Sequence, residues 1–170
     1  CLMSADHLVP DGWDALAAAD FEDARACFER ALADGETAEA LDGLSQATHF
    51  LGDYDEATRL KERAFVAYRE SGQPARAADA ARWLAFLHGT YRGDYAVARQ
   101  RAAQAARLAP WASAPWRIAS YADGKLGNTN RARADARRGL THANGDWWFW
   151  FRLACLTKRG AREANLARVR

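Results

Sequence analysis

The sequence is poor in the residues that break a chain, cross-link it or carry it through a bilayer. Its 170 residues include only 4 Pro, 12 Gly, 3 Cys and 1 Met. No apolar run approaches the roughly 20 residues that a helical membrane crossing requires. Collagen-like, proline-rich and disordered classes are excluded as well: 49% of the residues are hydrophobic and 27% charged, and a globular chain of this length buries about 70% of the surface it exposes when unfolded. Cys1, Cys27 and Cys155 are an odd number with no CxxC pair and no histidine at ligand spacing. That speaks against a disulfide framework and against a structural zinc site. Cys27 falls in an apolar helical stripe and is read as a small buried hydrophobe. The expected location is cytoplasmic; a lipid-bearing Cys1 is the alternative.

Catalytic and cofactor signatures are missing too. His7, His49, His88 and His142 are scattered, and none forms an HxxxH or HExxH pair that would set two imidazoles on one helix face. The glycines occur singly, so no GxxxxGK[ST] or GxGxxG loop offers backbone N–H groups to a phosphate. Ser4, Ser45, Ser71, Ser113 and Ser120 lack a nucleophile-elbow context. The expectation is therefore no metal, no cofactor and no enzyme.

Charge of one sign is scarce in each half. The net charge is only +2, but residues 1–72 hold 16 Asp or Glu against 6 Lys or Arg, and residues 73–170 hold 6 against 18. The halves thus carry −10 and +12. Such asymmetry bears on association partners and not on fold.

A repeat is present. Ala19-Asp20-Phe21-Glu22-Asp23-Ala24, Gly52-Asp53-Tyr54-Asp55-Glu56-Ala57, Gly93-Asp94-Tyr95-Ala96-Val97-Ala98 and Gly127-Asn128-Thr129-Asn130-Arg131-Ala132 share one pattern, and Gly160-Ala161-Arg162-Glu163-Ala164 is a weaker fifth copy. The closing alanines are 33, 41, 34 and 32 residues apart. Each string reads as a helix stop followed by a helix start: a small residue makes the turn, Asp or Asn caps, and acids suit the first turn. Amphipathic stripes continue on both sides, as in Phe21, Ala24, Phe28 and Ala31, so the unit is a helical hairpin. Helices are predicted at 11–18, 21–33, 37–51, 54–71, 74–91, 95–109, 114–126, 129–143, 147–158 and 161–169. Scarce β-branched residues leave no strand. The class is all-α, with residues 1–10 as an N-terminal extension and 11–170 as one domain of 4.5 to 5 hairpins.

Spacing near 34 with Phe28, Ala31, Leu108-Ala109-Pro110, Pro115-Trp116 and Asp146-Trp147 resembles the tetratricopeptide repeat family over residues 11–170. Lys61 and Ala102 depart from it where an aromatic is common, as do Glu36 and Asn144 where Pro is common. The resemblance implies a right-handed superhelix of stacked hairpins whose first helices line a concave groove. It also implies a scaffold or adaptor that binds a peptide or protein segment there. A narrower likeness, carried by Ala38 to Leu44, Leu51 to Tyr54, Glu62 to Phe65 and Tyr68 to Gly72, is to the helical-repeat region of actinobacterial LuxR-type regulators and implies a regulatory segment of a larger protein.

Helical stepping along the first helices gives two candidate surfaces. Glu39, Asp42, Gln46 and His49 form one stripe, expected to prefer a basic ligand. Arg117, Tyr121 and Lys125, continued by Trp148, Phe151, Cys155 and Lys158, form a basic and aromatic stripe expected to take an acidic segment with bulky side chains. Head-to-tail contact with the acidic half of another copy would satisfy the same charges. The run Trp147 to Phe151 is aromatic on every side, so part of it must be buried in a helix stack. Arg131, Arg133, Arg137 and Arg138 read as a solvated face. A nucleic-acid-associated module using the basic half is one alternative function, and an enzyme's accessory domain is another.

Overall fold

In the computed structural model residues 5–167 are described, with side chains over 7–157. Nine helices and no strand occur among them: α1 Ala5–Ala17, α2 Phe21–Asp34, α3 Ala38–Phe50, α4 Tyr54–Glu70, α5 Pro74–Thr90, α6 Tyr95–Leu108, α7 Ala114–Lys125, α8 Thr129–His142 and α9 Trp147–Ala167. The chain divides within α5, between Leu84 and Ala85, into two compact units.

The repeat strings make the expected turns. Asp20, Asp53 and Asp94 each accept a hydrogen bond from the backbone N–H three residues on, at 3.2, 3.0 and 3.1 Å. The small residue before each cap adopts the left-handed conformation that frees the chain to reverse: Gly52 at φ +93°, Gly93 at +66° and Gly127 at +82°. Ala19 takes the same conformation at φ +62°, which a side chain disfavours by about 1 kcal/mol. Asn128 differs, because its side chain donates to Asp123 at 3.1 Å instead of capping α8.

Two boundaries differ from the prediction. α1 begins at Ala5 instead of 11 and contains Pro10, so residues 5–10, expected as extension, are helical; Leu8, 2% exposed, anchors this turn in the core. At the other end one helix runs from Trp147 through Gly160 to Ala167 where two were predicted. Gly160 alone costs a helix only about 1 kcal/mol, and its string lacks the Asp or Asn cap that the others carry.

In the first unit α1 packs on α2, α2 on α3 and α3 on α4, and α1 also touches α3. Phe28, fully buried, sits between α1 and α3, where a methyl group on Gly12 would lie 2.7 Å from its ring and one on Gly43 closer still. Leu41, Leu60, Ala64 and Leu84 fill the remainder. In the second unit Ala85, Ala102 and Ala119 form a close-packed seam covered by Ile118, and Phe149 of α9 packs over Gly139 of α8. One device recurs in both units. The buried Ser45 hydroxyl donates to the Ala57 carbonyl at 2.7 Å and the buried Ser120 hydroxyl to the Ala132 carbonyl at 2.8 Å, each twelve residues ahead.

Candidate functional site

The second unit holds a cleft of about 220 Å³ lined by Phe86, Gly89 and Thr90 of α5, Tyr95 of α6, Arg117, Ile118 and Tyr121 of α7 and Trp148 of α9. Local sequence places these groups. Arg117 and Tyr121 are one helical turn apart on the exposed face of α7. Tyr95, the aromatic of its repeat string, meets Tyr121 edge-on at 6.2 Å. Trp148 is brought in by the start of α9, where the Asp146 carboxylate accepts the Trp148 N–H at 3.0 Å.

Cations stand on these rings. The Lys125 ammonium lies 5.4 Å from the Tyr121 centroid and 5.8 Å from that of Tyr95. The Arg117 guanidinium lies 5.3 Å from Trp148 and 5.9 Å from Phe149, and it also pairs with Asp146. Burial pushes the Asp146 carboxyl up, but the hydrogen bonds from Arg117 and the Trp148 N–H, with the Arg117 charge, outweigh it and hold the group below the usual carboxylate range. Arg152 stacks 5.8 Å from Tyr121 and donates to the Ser120 carbonyl at 2.9 Å. The result is an apolar floor with a positive rim, a combination that accepts carboxylates beside a large apolar side chain.

The structure brings together three residues of the basic stripe, Arg117, Tyr121 and Trp148, with Lys125 at their edge. Phe151 is elsewhere: 60% exposed, it faces Trp147 at 6.2 Å on the outer side of α9. Cys155 is exposed, and the Lys158 side chain lies outside the described residues. Phe86, Thr90 and Ile118 were not among the sequence candidates. They belong to the end of α5 and to the inner flank of α7, and nothing in their local pattern separates them from ordinary helix packing.

Half of the acidic stripe is internal. Asp42 is buried, with its carboxylate bonded to the Lys61 ammonium and, at 3.3 Å, to the Tyr68 hydroxyl. Lys61, the departure from an aromatic, is 1% exposed and lies 5.7 Å from the Trp83 ring; desolvation lowers its pKa while Asp42 opposes the fall. Burial, and then Asp42, raises the Tyr68 phenol. His49 is buried among Phe50, Tyr54 and Trp83 at 5.2 to 5.4 Å. Glu39 and Gln46 remain half-buried on the same helix. Of the arginines on α8, Arg138 stacks over Trp116 at 5.3 Å and bonds Asp135, Arg133 donates to the Leu156 carbonyl at 2.8 Å, and Arg131 and Arg137 are exposed.

No group of His, Cys, Asp and Glu suited to a metal occurs among the described residues, and no described helix is long and apolar enough to cross a membrane.

No family model and no curated protein sequence matches the chain. Solved structures do. An RS-1 MamA double mutant superposes with a TM-score of 0.81 at 13% identity over 96% of this chain and 89% of its own. YrrB, a tetratricopeptide protein with an unusual peptide-binding site, gives 0.73 at 15% over 87% and 73%. The first tetratricopeptide domain of Spaghetti (RPAP3), bound to the HSP90 peptide SRMEEVD, gives 0.60 at 19% over 74% and 94%. The fold is an all-α, tetratricopeptide-like array of helical hairpins.

Proposed function

We propose that this chain is a non-catalytic interaction scaffold whose second-unit cleft binds an acidic protein segment through one bulky apolar side chain. A single observation carries the reading: two cations, Arg117 and Lys125, stand on ring faces at the rim of an apolar cleft of about 220 Å³. A cavity of about 150 Å³ already holds a benzene ring, so the volume suits one aromatic or branched side chain. Segments with several carboxylates would then meet the rim. A bare phosphate backbone would satisfy the rim and leave the apolar floor empty, which favours a peptide over nucleic acid. A peptide-binding site in YrrB and the HSP90 peptide SRMEEVD bound to the RPAP3 domain support a peptide as the ligand of this fold.

Fluorescence anisotropy with a labelled Asp/Glu peptide containing one central Phe tests the proposal. Binding is expected, with a Lys-substituted peptide and single-stranded DNA at least tenfold weaker. Arg117→Glu with Lys125→Glu is expected to abolish capture while the helical circular dichroism stays unchanged. Equal binding by that folded double variant would place the site elsewhere.

A further inference from the structure

The Ser45–Ala57 and Ser120–Ala132 hydrogen bonds, each spanning twelve residues, set the repeat registers of the two units against each other. In that register Phe50 corresponds to Lys125, and through Ala24 and Ala98 Phe21 corresponds to Tyr95. The contact recurs in both units, with an aromatic ring kept on one side and a cation in place of the ring on the other. Phe50 stacks on Phe21 with ring centroids 4.6 Å apart, whereas Lys125 stands over Tyr95 at 5.8 Å.

The charge around this contact differs as well. Phe50 is 53% exposed, and the helix starts beside it carry Asp20, Glu22, Asp23 and Asp53, all exposed. Asp53 and Glu22 both lie in the field of Arg25, which is itself ion-paired to Glu29 at 2.7 Å. In the second unit the positions of Glu22, Asp23 and Asp53 are the uncharged Ala96, Val97 and Asn128, and of the four acids only Asp20 keeps a counterpart, the α6 cap Asp94. One edge is therefore an exposed aromatic ring fringed with carboxylates. The other is an aromatic cleft rimmed with cations.

We infer that these edges are each other's ligands in two copies of the chain: the Phe50 edge of one copy docks at the Tyr95, Tyr121 and Lys125 edge of the next. The inference rests on the reading of the cleft as a site for an acidic segment with an apolar anchor, and it names that segment. Phe50 supplies the ring, while Glu22 and Asp23 supply carboxylates to Lys125 and Arg117. A second copy is favoured over an unrelated acidic partner because each chain carries both complements. With a net charge of only +2, copies also do not repel one another strongly. The contact joins different surfaces, so it is heterologous and can propagate.

Sedimentation velocity on the full chain, over a wide range of concentration and at low and high salt, tests this. The expected result is concentration-dependent association that weakens with salt. Lys125→Glu alone, and Glu22→Lys with Asp23→Lys alone, are each expected to weaken association roughly tenfold or more, the change that about 1.4 kcal/mol produces. Phe50→Ala, which leaves every charge in place, is expected to do the same. An equimolar mixture of the two charge variants should associate again, because each retains the edge the other has lost. A chain that stays monomeric, variants that associate like the native chain, or a mixture that remains monomeric would overturn the inference. If the labelled acidic peptide binds to a monomeric chain, only the self-docking fails. If the peptide does not bind either, the reading of the cleft fails with it.

Discussion

The two units use one backbone plan and both bury acids against a cation, but they leave different charges on their surfaces. In the first, the first-helix stripe turns an acid inward: Asp42 is held by Lys61 and Tyr68, and the helix starts outside remain acidic. In the second, two acids are turned inward onto arginine, while Asp94 stays exposed at the start of α6. Asp123 accepts from Arg99 at 2.7 Å, Asp135 lies 3.6 Å from the same side chain, and both carboxylates are buried, while Arg117 and Lys125 stay outside. Serine at the equivalent position ties the hairpin in both. The helix stack thus depends on small residues and a few buried hydrogen bonds, and leaves the sign of each surface free.

The largest effect is expected from removing one member of the buried pair in the first unit. Asp42→Ala strands the Lys61 ammonium in the core, and a loss of about 3 to 5 kcal/mol is expected in urea unfolding followed by far-ultraviolet circular dichroism. Asp42→Leu with Lys61→Met removes both charges and should recover most of that loss, since an apolar pair of similar volume needs no desolvation of ions. A double variant as unstable as the single one would show that the pair does more than neutralise itself.

A smaller effect is expected at the close helix approaches. Gly43→Ala places a methyl group inside the Phe28 ring and Gly139→Ala does the same at Phe149, so each should cost about 1 to 3 kcal/mol. Phe28 has both Gly12 and Gly43 against its ring, on two different helices, whereas among the described glycines Phe149 has only Gly139. Gly43→Ala should therefore cost more, and the opposite order of urea midpoints would refute this account of the packing.

The smallest effect is a pH slope of opposite sign in the two units. Burial, then the Lys61 charge, lowers the His49 pKa from 6.5. Its contribution to stability is complete above that value and is lost as pH falls through the lower folded value. Burial raises the Asp135 pKa from 3.8, with Arg99 opposing and Asp123 reinforcing the shift. Its contribution is complete below that value and is lost as pH rises through the higher folded one. The stability difference between native chain and His49→Gln should thus move in the native chain's favour from weak acid to neutral, and that for Asp135→Asn should move against it. Slopes of the same sign in urea titrations would contradict the assignment.

Much of this was legible along the chain. The caps at Asp20, Asp53 and Asp94, the reversals before them and the alternation of hairpin helices follow from local chemistry, because a turn and a cap are satisfied within a few residues. The missing Asp or Asn at Gly160 was an equally local signal that the last string would not end its helix. That Arg117 and Tyr121 share a direction was readable, because helical stepping puts them on one side of α7; that Trp148 joins them in one cleft depends on the packing of α9. Phe151 and Phe86 were misjudged or missed because stepping does not say which neighbour covers a face.

By itself the sequence determined the repeat, the helical class and the separation of acidic from basic halves, since each depends on short-range spacing or on composition. Tertiary structure alone decided that Asp42 and His49 lie inside while Lys125 stays out. A charge is affordable in the core only where another helix supplies its partner, as Lys61 does for Asp42 from nineteen residues away and Arg99 does for Asp123 from twenty-four, and such pairings are set by helix packing over distances that no local pattern records.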